Sequence, residues 1–257
     1  MDRKQKMRVV VIIQARMGAT RFPGKPLKTV QNRPLLSYQL ERLRRAKSVD
    51  QIIVATTTKE QDTQIVELCK AENILCYRGS ESDVLERYNQ AAKLFKADVV
   101  VRITGDCPLI DPEIVDHAIN YYLGHFPTYD YVSNSLERTY PRGLDVEVFS
   151  ASMLERAAKE AKFPEEREHV TLYFYTHPNL FSLGNVRQAA DKSHHRWTVD
   201  TLEDFELVTK IITALYPKDP SFTTEDILKA FEQHPDWMKI NAHIKQKAIP
   251  SSDRSTT

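Results

Sequence analysis

The chain of 257 residues has almost no net charge, with 36 Lys and Arg against 35 Asp and Glu. That balance excludes a global field that would draw in nucleic acid or a membrane surface, so any anion must be captured by a local cluster. Cysteine is scarce. Cys69, Cys76 and Cys107 form no disulfide framework and match no zinc spacing. A reducing compartment fits, and the cytoplasm is the expected location. Also missing are the G-x-G-x-x-G fingerprint and the Gly-Lys-Ser/Thr end of a Walker loop, which removes a nicotinamide-dependent oxidoreductase and a P-loop enzyme. Long apolar runs are absent. The start, MDRKQKMRVVVII, is basic and then apolar, but the apolar part is too short for a membrane span and no small-residue cleavage site follows.

What the sequence does contain is an alternation of strands and helices. Residues 9–13, 51–56, 74–77 and 98–104 read as strands, rich in β-branched residues. Between and after them, 34–47, 61–71, 83–95 and 111–123 read as helices, the last with Asp111 at its cap and Pro112 at its first position. Such alternation predicts an α/β fold with a mostly parallel central sheet flanked by helices, and ligands bind such sheets beyond the strands' C-terminal ends. The second half is less regular. Strands are expected at 129–133, 146–149, 181–188 and 196–199, and helices at 151–162, 165–176, 201–215 and 224–233. One domain over 1–250 with a disordered tail at 251–257 is the expectation.

The loop after the first strand reads QARMGATRFPGKPL, residues 14–27. It sets Arg16, Arg21 and Lys25 beside Gly18 and Gly24. Glycine lets backbone N–H groups approach an anion, arginine supplies a fixed fork of donors and lysine a point charge. Three cations and two glycines at the crevice suit a triphosphate. Asp106, in RITGDCPLID just past a buried strand, could hold a hard divalent cation or simply order its own turn. Asp200 precedes Thr201 and Asp204, which have capping-box spacing.

Taken together, the loop resembles the signature of the cytidylyltransferases that make CMP-activated acidic sugars, the 3-deoxy-manno-octulosonate and sialate synthetases. The matching residues are Ala15-Arg16, Gly18-Ala19-Thr20 and Arg21-Phe22-Pro23-Gly24-Lys25-Pro26-Leu27. A spore coat polysaccharide branch of that family looks nearest, and the similarity runs from about residue 7 to 215. The resemblance implies a nucleotide-diphospho-sugar transferase (GT-A-like) fold and transfer of CMP from CTP to an acidic, ulosonic or sialate-like sugar, with pyrophosphate released, for surface or spore coat polysaccharide. It implies that Gln14, Ala15, Arg16, Gly18, Thr20, Arg21 and Lys25 hold the nucleotide, with Arg21 and Lys25 on the outer phosphates. It also implies Mg2+ bound by Asp106 and by Asp200 of the VDTLED stretch. Arg16, Arg21, Lys25, Asp106 and Asp200 are then the catalytic set.

Relatives use a segment like YRGSESDVLERY at the nucleotide, which adds Arg78, Ser80, Asp83 and Arg87; helix capping and a solvated face explain the same residues equally well. The stretch TYPRGLDVEVF is a hallmark of the spore coat branch and points Arg142, Asp145 and Glu147 at the sugar, both acids on one side of a strand. Arg167, His169 and Arg196 extend that cleft; the His194–His195 pair lacks a third zinc ligand. A homodimer through residues 137–148 is expected by analogy, with no nucleic-acid or membrane partner. The rival reading is a GT-A-type glycosyltransferase with a nucleotide-sugar donor, but Asp106-Cys107-Pro108 lacks the second acid of an Asp-x-Asp motif.

Overall fold

The structure, a computed structural model, describes residues 6–247. The tail expected at 251–257 lies outside them. Four strands, β1 (Val9–Gln14), β4 (Gln51–Thr57), β5 (Leu75–Gly79) and β6 (Val99–Thr104), form the parallel part of a seven-stranded sheet. The sheet continues through β8 (Glu147–Ser150), β7 (Tyr131–Ser133) and β9 (Leu183–Asn185), in the order β5-β4-β1-β6-β8-β7-β9. Only β8 runs against its neighbours. A two-stranded hairpin, β2 (Thr29–Val30) with β3 (Arg33–Pro34), stands apart. This is the predicted α/β architecture.

Strand alternation explains the layering. Val9, Val11 and Ile13 of β1 enter the core beneath α1 (Leu35–Leu43), α2 (Thr63–Ala71) and α4 (Pro112–Gly124). Val10 and Ile12 point the other way, against α3 (Val84–Leu94) and α5 (Ala151–Glu160). A third cluster joins α8 (Leu202–Leu215) and α9 (Thr224–Gln233) to the hairpin. The register matters for function. Gln14 lies opposite Thr104 and Arg102 opposite Glu147, so the ends of β1 and β6 finish level. Gly105 makes this possible: a Cβ there would come within 2.7 Å of the Gln14 carbonyl oxygen.

Three expectations need correction. The helix expected at 165–176 is two short ones, α6 (Pro164–Glu168) and α7 (Leu172–Thr176), because Val170 takes a left-handed φ of 52° and breaks the run. The strand expected at 196–199 is reduced to a single bridge from Arg196 to Arg142. The strand expected at 181–188 is Leu183–Asn185. The segment 137–148 is largely internal, with Thr139, Tyr140, Leu144 and Val146 buried within the chain itself. No helix among the described residues is long and apolar enough to cross a membrane.

Candidate active site

The loop after β1 is shaped before any ligand arrives. Met17 N–H donates to the buried Asp62 carboxylate at 2.7 Å, and Asp62 in turn accepts from the Thr57 hydroxyl. The carbonyl of Met17 accepts from Ala19 and Gly24, at 3.0 and 2.9 Å. Gly24, at φ 71°, turns the chain into a short 3₁₀ segment, Lys25–Leu27, that aims Lys25 back over the sheet. Ala15 N–H is occupied by the Ala55 carbonyl at 3.3 Å.

Asp106 and Asp200 are brought together by backbone. Val199 N–H and the Thr198 hydroxyl both donate to the Asp106 carbonyl, at 2.8 and 3.2 Å. The segment leading to Asp200 and α8 is thereby laid against the end of β6. Gly143 permits the approach, since a Cβ there would meet the 197–198 backbone at 2.6 Å and its φ is 99°. Between the two acids sits the Lys25 ammonium, 2.7 Å from Asp106 Oδ2 and 2.8 Å from Asp200 Oδ1. Arg21 reaches Asp200 Oδ2 at 2.9 Å, and Arg196 reaches the same oxygen at 2.9 Å. Burial opposes ionisation of Asp106; Lys25, with bonds from Thr104 and Cys107, overrides it and holds the carboxyl at about 2. For Lys25, burial works against the charge, yet Asp106 and Asp200 raise its pKa above the usual value. Burial pushes the Cys107 thiol well up, which leaves it a packing residue.

These groups line a cleft of about 290 Å³ at the C-terminal ends of β1 and β6. Of the residues singled out from sequence, Gln14, Ala15, Arg16, Thr20, Arg21, Lys25, Arg87, Asp106, Asp200 and His169 border it. Gly18, Arg78, Ser80 and Asp83 do not. The Arg78 guanidinium is tied to the Thr57 and Lys59 carbonyls, at 2.9 and 2.8 Å. Ser80 accepts from Asp83 N–H at 3.0 Å. Asp83 caps α3 and binds Arg167, with contacts of 2.5 to 3.0 Å. Arg167, expected near the sugar, is therefore a clamp between α6 and α3.

A second cavity, of about 410 Å³, adjoins the first and shares Thr104, His169 and Lys247 with it. Arg142, Asp145 and Glu147 line it. Asp145 is held by Arg138, and Glu147 by Arg102, Tyr131 and Thr171. Asp145 precedes β8 rather than lying on it. Arg196 is not in this cavity. It stands behind Asp200, fixed by the fully buried Asp204 at 2.9 and 3.0 Å, and Asp204 also completes the Thr201 capping box. His169 lies at the junction of the two cavities. Burial depresses its pKa below the usual value; Glu168 opposes the shift and Arg102 and Lys247 reinforce it, which favours the neutral imidazole.

Sequence reading missed several of these residues. Asp62 carried no motif, and Arg102 and Thr104 stood in the RITGDCPLID segment without an assigned role. Lys247 came from a C-terminal stretch of no evident pattern, which is pinned by Asn241 to Asp204 at 2.8 Å and by Gln246 to Arg196 at 2.7 Å.

A basic loop facing two carboxylates across the ends of a mostly parallel sheet is the arrangement of the nucleotidyltransferase class. The chain belongs to the cytidylyltransferase family: the family model described as Cytidylyltransferase matches residues 10–249. An uncharacterised protein of Methanocaldococcus jannaschii is 39% identical over 94% of this chain and 98% of its own. The spore coat polysaccharide biosynthesis protein SpsF of Bacillus subtilis is 33% identical over 89% of this chain and 95% of its own. A solved cytidylyltransferase from Leptospira borgpetersenii superposes with a TM-score of 0.87 at 33% identity, covering 94% of this chain and all of its own.

Proposed function

We propose that the protein transfers CMP from CTP to a hydroxyl of an acidic sugar, ulosonic or sialate-like, for polysaccharide synthesis. The observation that carries this is the convergence of Arg21 and Lys25 with Asp106 and Asp200 in one cleft, beside a second cavity able to hold an acceptor. The family's activity and the polysaccharide role in the name of the B. subtilis relative support it.

In this reading the triphosphate lies along the loop from Arg16 to Lys25. The sugar oxygen attacks the α-phosphorus, the bond to the β-phosphate oxygen breaks, and pyrophosphate departs with the displaced electron pair. Arg21 and Lys25 stabilise the charge on that leaving group. Neutral His169, at the junction of the two cavities, has a lone pair with which to orient the attacking hydroxyl or accept its proton.

The donor set suits magnesium. Asp106 and Asp200 both reach one nitrogen atom, so their carboxylates lie close enough to share one cation. Among the described residues no group of three or more His, Cys, Asp and Glu could hold a metal, and magnesium is content with two carboxylates, waters and phosphate oxygens. When bound, the ion supplies charge stabilisation at the α-phosphate. Lys25 must then exchange its carboxylate partners for phosphate.

The resemblance also implies a homodimer, which light scattering on the purified protein tests. The deciding experiment for the function is pyrophosphate release, screened for each nucleoside triphosphate against a panel of acidic sugars with magnesium. Release that needs both CTP and an acidic sugar is the expected result. Sugar transfer from a finished nucleotide-sugar without pyrophosphate would favour the glycosyltransferase reading instead.

A further inference from the structure

Gln14 ends β1 and lines the nucleotide cleft. Its carboxamide has an oxygen that accepts and a nitrogen that donates. Arg102, on the adjacent strand β6, directs Nε and Nη2 at Gln14 Oε1, at 3.3 and 3.2 Å. A guanidinium has donors alone, so the amide oxygen has to face it; the reversed amide would oppose N–H to N–H. Arg102 is held in turn. Its Nη1 binds Glu147, its register partner on β8, and the Thr171 hydroxyl. Glu147 is buried, and its other oxygen accepts from the Tyr131 hydroxyl at 2.5 Å and from Thr171 at 2.6 Å. A continuous set of bonds, from Tyr131 through Glu147 and Arg102, thus decides which end of the Gln14 amide is left over. That end is the NH2 group, and among the described residues no acceptor is bonded to it.

The cleft, which Ala15, Val84 and Arg87 also line, therefore contains a neutral donor whose orientation Arg102 sets. The phosphates already have Arg16, Arg21 and Lys25 to meet them. A neutral amide suits a neutral part of the nucleotide. We infer that Gln14 is a base-selecting residue: its N–H donates to the O2–N3 edge of cytosine. Uracil presents N–H instead of a lone pair at N3, so the same amide would confront a donor with a donor. Arg102 and Glu147 are positioning residues that keep the amide from turning over. The inference rests on the cytidylyltransferase reading and adds to it a physical origin for choosing CTP over UTP.

Binding of CTP and of UTP, each measured by calorimetry without acceptor, tests this on the full chain. Gln14→Glu keeps an oxygen for Arg102 and replaces the donor with an acceptor. Its CTP affinity should fall about tenfold or more, the loss of one hydrogen bond. Its UTP affinity should hold or rise, narrowing or inverting the CTP/UTP ratio. Gln14→Met should weaken CTP with no gain for UTP. Arg102→Met, which frees the amide to turn over, should narrow the CTP/UTP affinity ratio in the same calorimetric measurement. Equal weakening of both nucleotides, or no change in either, overturns the inference. Wild-type protein that binds neither nucleotide would count against the cytidylyltransferase reading instead.

Discussion

Lys25 lies between Asp106 and Asp200 with its ammonium nitrogen 2.7 and 2.8 Å from the two carboxylates. One side chain from the first loop thus joins the ends of two distant segments. Removing it leaves two acids facing each other, and removing either acid deprives the half-buried lysine of a partner. Lys25→Met, Asp106→Asn and Asp200→Asn should each lower kcat by about 10²–10³, the usual cost of losing one preorganised charge at a phosphoryl centre. Circular dichroism should show the fold retained, because Asp200 still has Arg21 and Arg196 in the lysine variant. Normal pyrophosphate release by any of the three would remove that residue from the machinery.

The proposed binding of magnesium by Asp106 and Asp200 makes turnover dependent on that ion. EDTA should abolish turnover, and added Mg2+ should restore it. In Asp106→Asn or Asp200→Asn the Mg2+ concentration for half-maximal rate should rise about tenfold or more. A rate unaffected by chelation would exclude the metal.

Asp62 supports the phosphate loop without touching the cleft. It accepts from Met17 N–H at 2.7 Å while fully buried. Asp62→Ala would leave that N–H without its partner and cost about 1–3 kcal/mol in stability. Slackening of the loop should appear as a raised KM for the nucleotide and an unchanged KM for the sugar. Asp62→Asn, which keeps an acceptor oxygen, should recover much of the loss.

In the second cavity Arg138 and Arg102 are neutralised by Asp145 and Glu147. Arg142 and Lys247 have no ion-pair partner among the described residues, and both line the cavity. Arg142→Ala should therefore raise KM for an acidic sugar about tenfold and leave CTP affinity intact. Lys247, which borders both cavities, should affect both substrates when changed to Ala.

His195 is buried against Trp197 and Phe231, and burial, with His194 and Lys192 nearby, pushes its pKa down to about 4. The folded state thus keeps this imidazole neutral where the unfolded chain takes up a proton. Its contribution to stability is complete above about pH 6.5 and declines as pH falls toward 4, by at most about 3 kcal/mol. His195→Phe retains the ring contacts and should flatten that part of the melting temperature against pH curve.

The central sheet was readable because its signals are local. β1, β4 and β6 are rich in β-branched residues, and the caps at Asp111 and Thr201 lie where short spacings put them. The loop motif was legible for the same reason, since Arg16, Arg21 and Lys25 are neighbours in the chain. Less legible was the region after Tyr129. There the strands are short, and their pairing depends on partners far away, as Glu147 on Arg102 and Arg142 on Arg196. A break such as that at Val170 is set by tertiary packing rather than by any helix breaker in the sequence.

Read alone, then, the sequence determined the alternation that makes the sheet, the basic loop at its edge and the family motifs, because propensity, periodicity and neighbouring residues carry those. It did not determine which polar side chains would reach the cleft. Arg78, Asp83 and Arg167 carry the same charges as Arg21 and Asp200, yet the fold ties them to carbonyls and to each other away from the cleft. Only the three-dimensional arrangement decides whether a charge faces a ligand or another residue, since that depends on contacts between segments far apart along the chain.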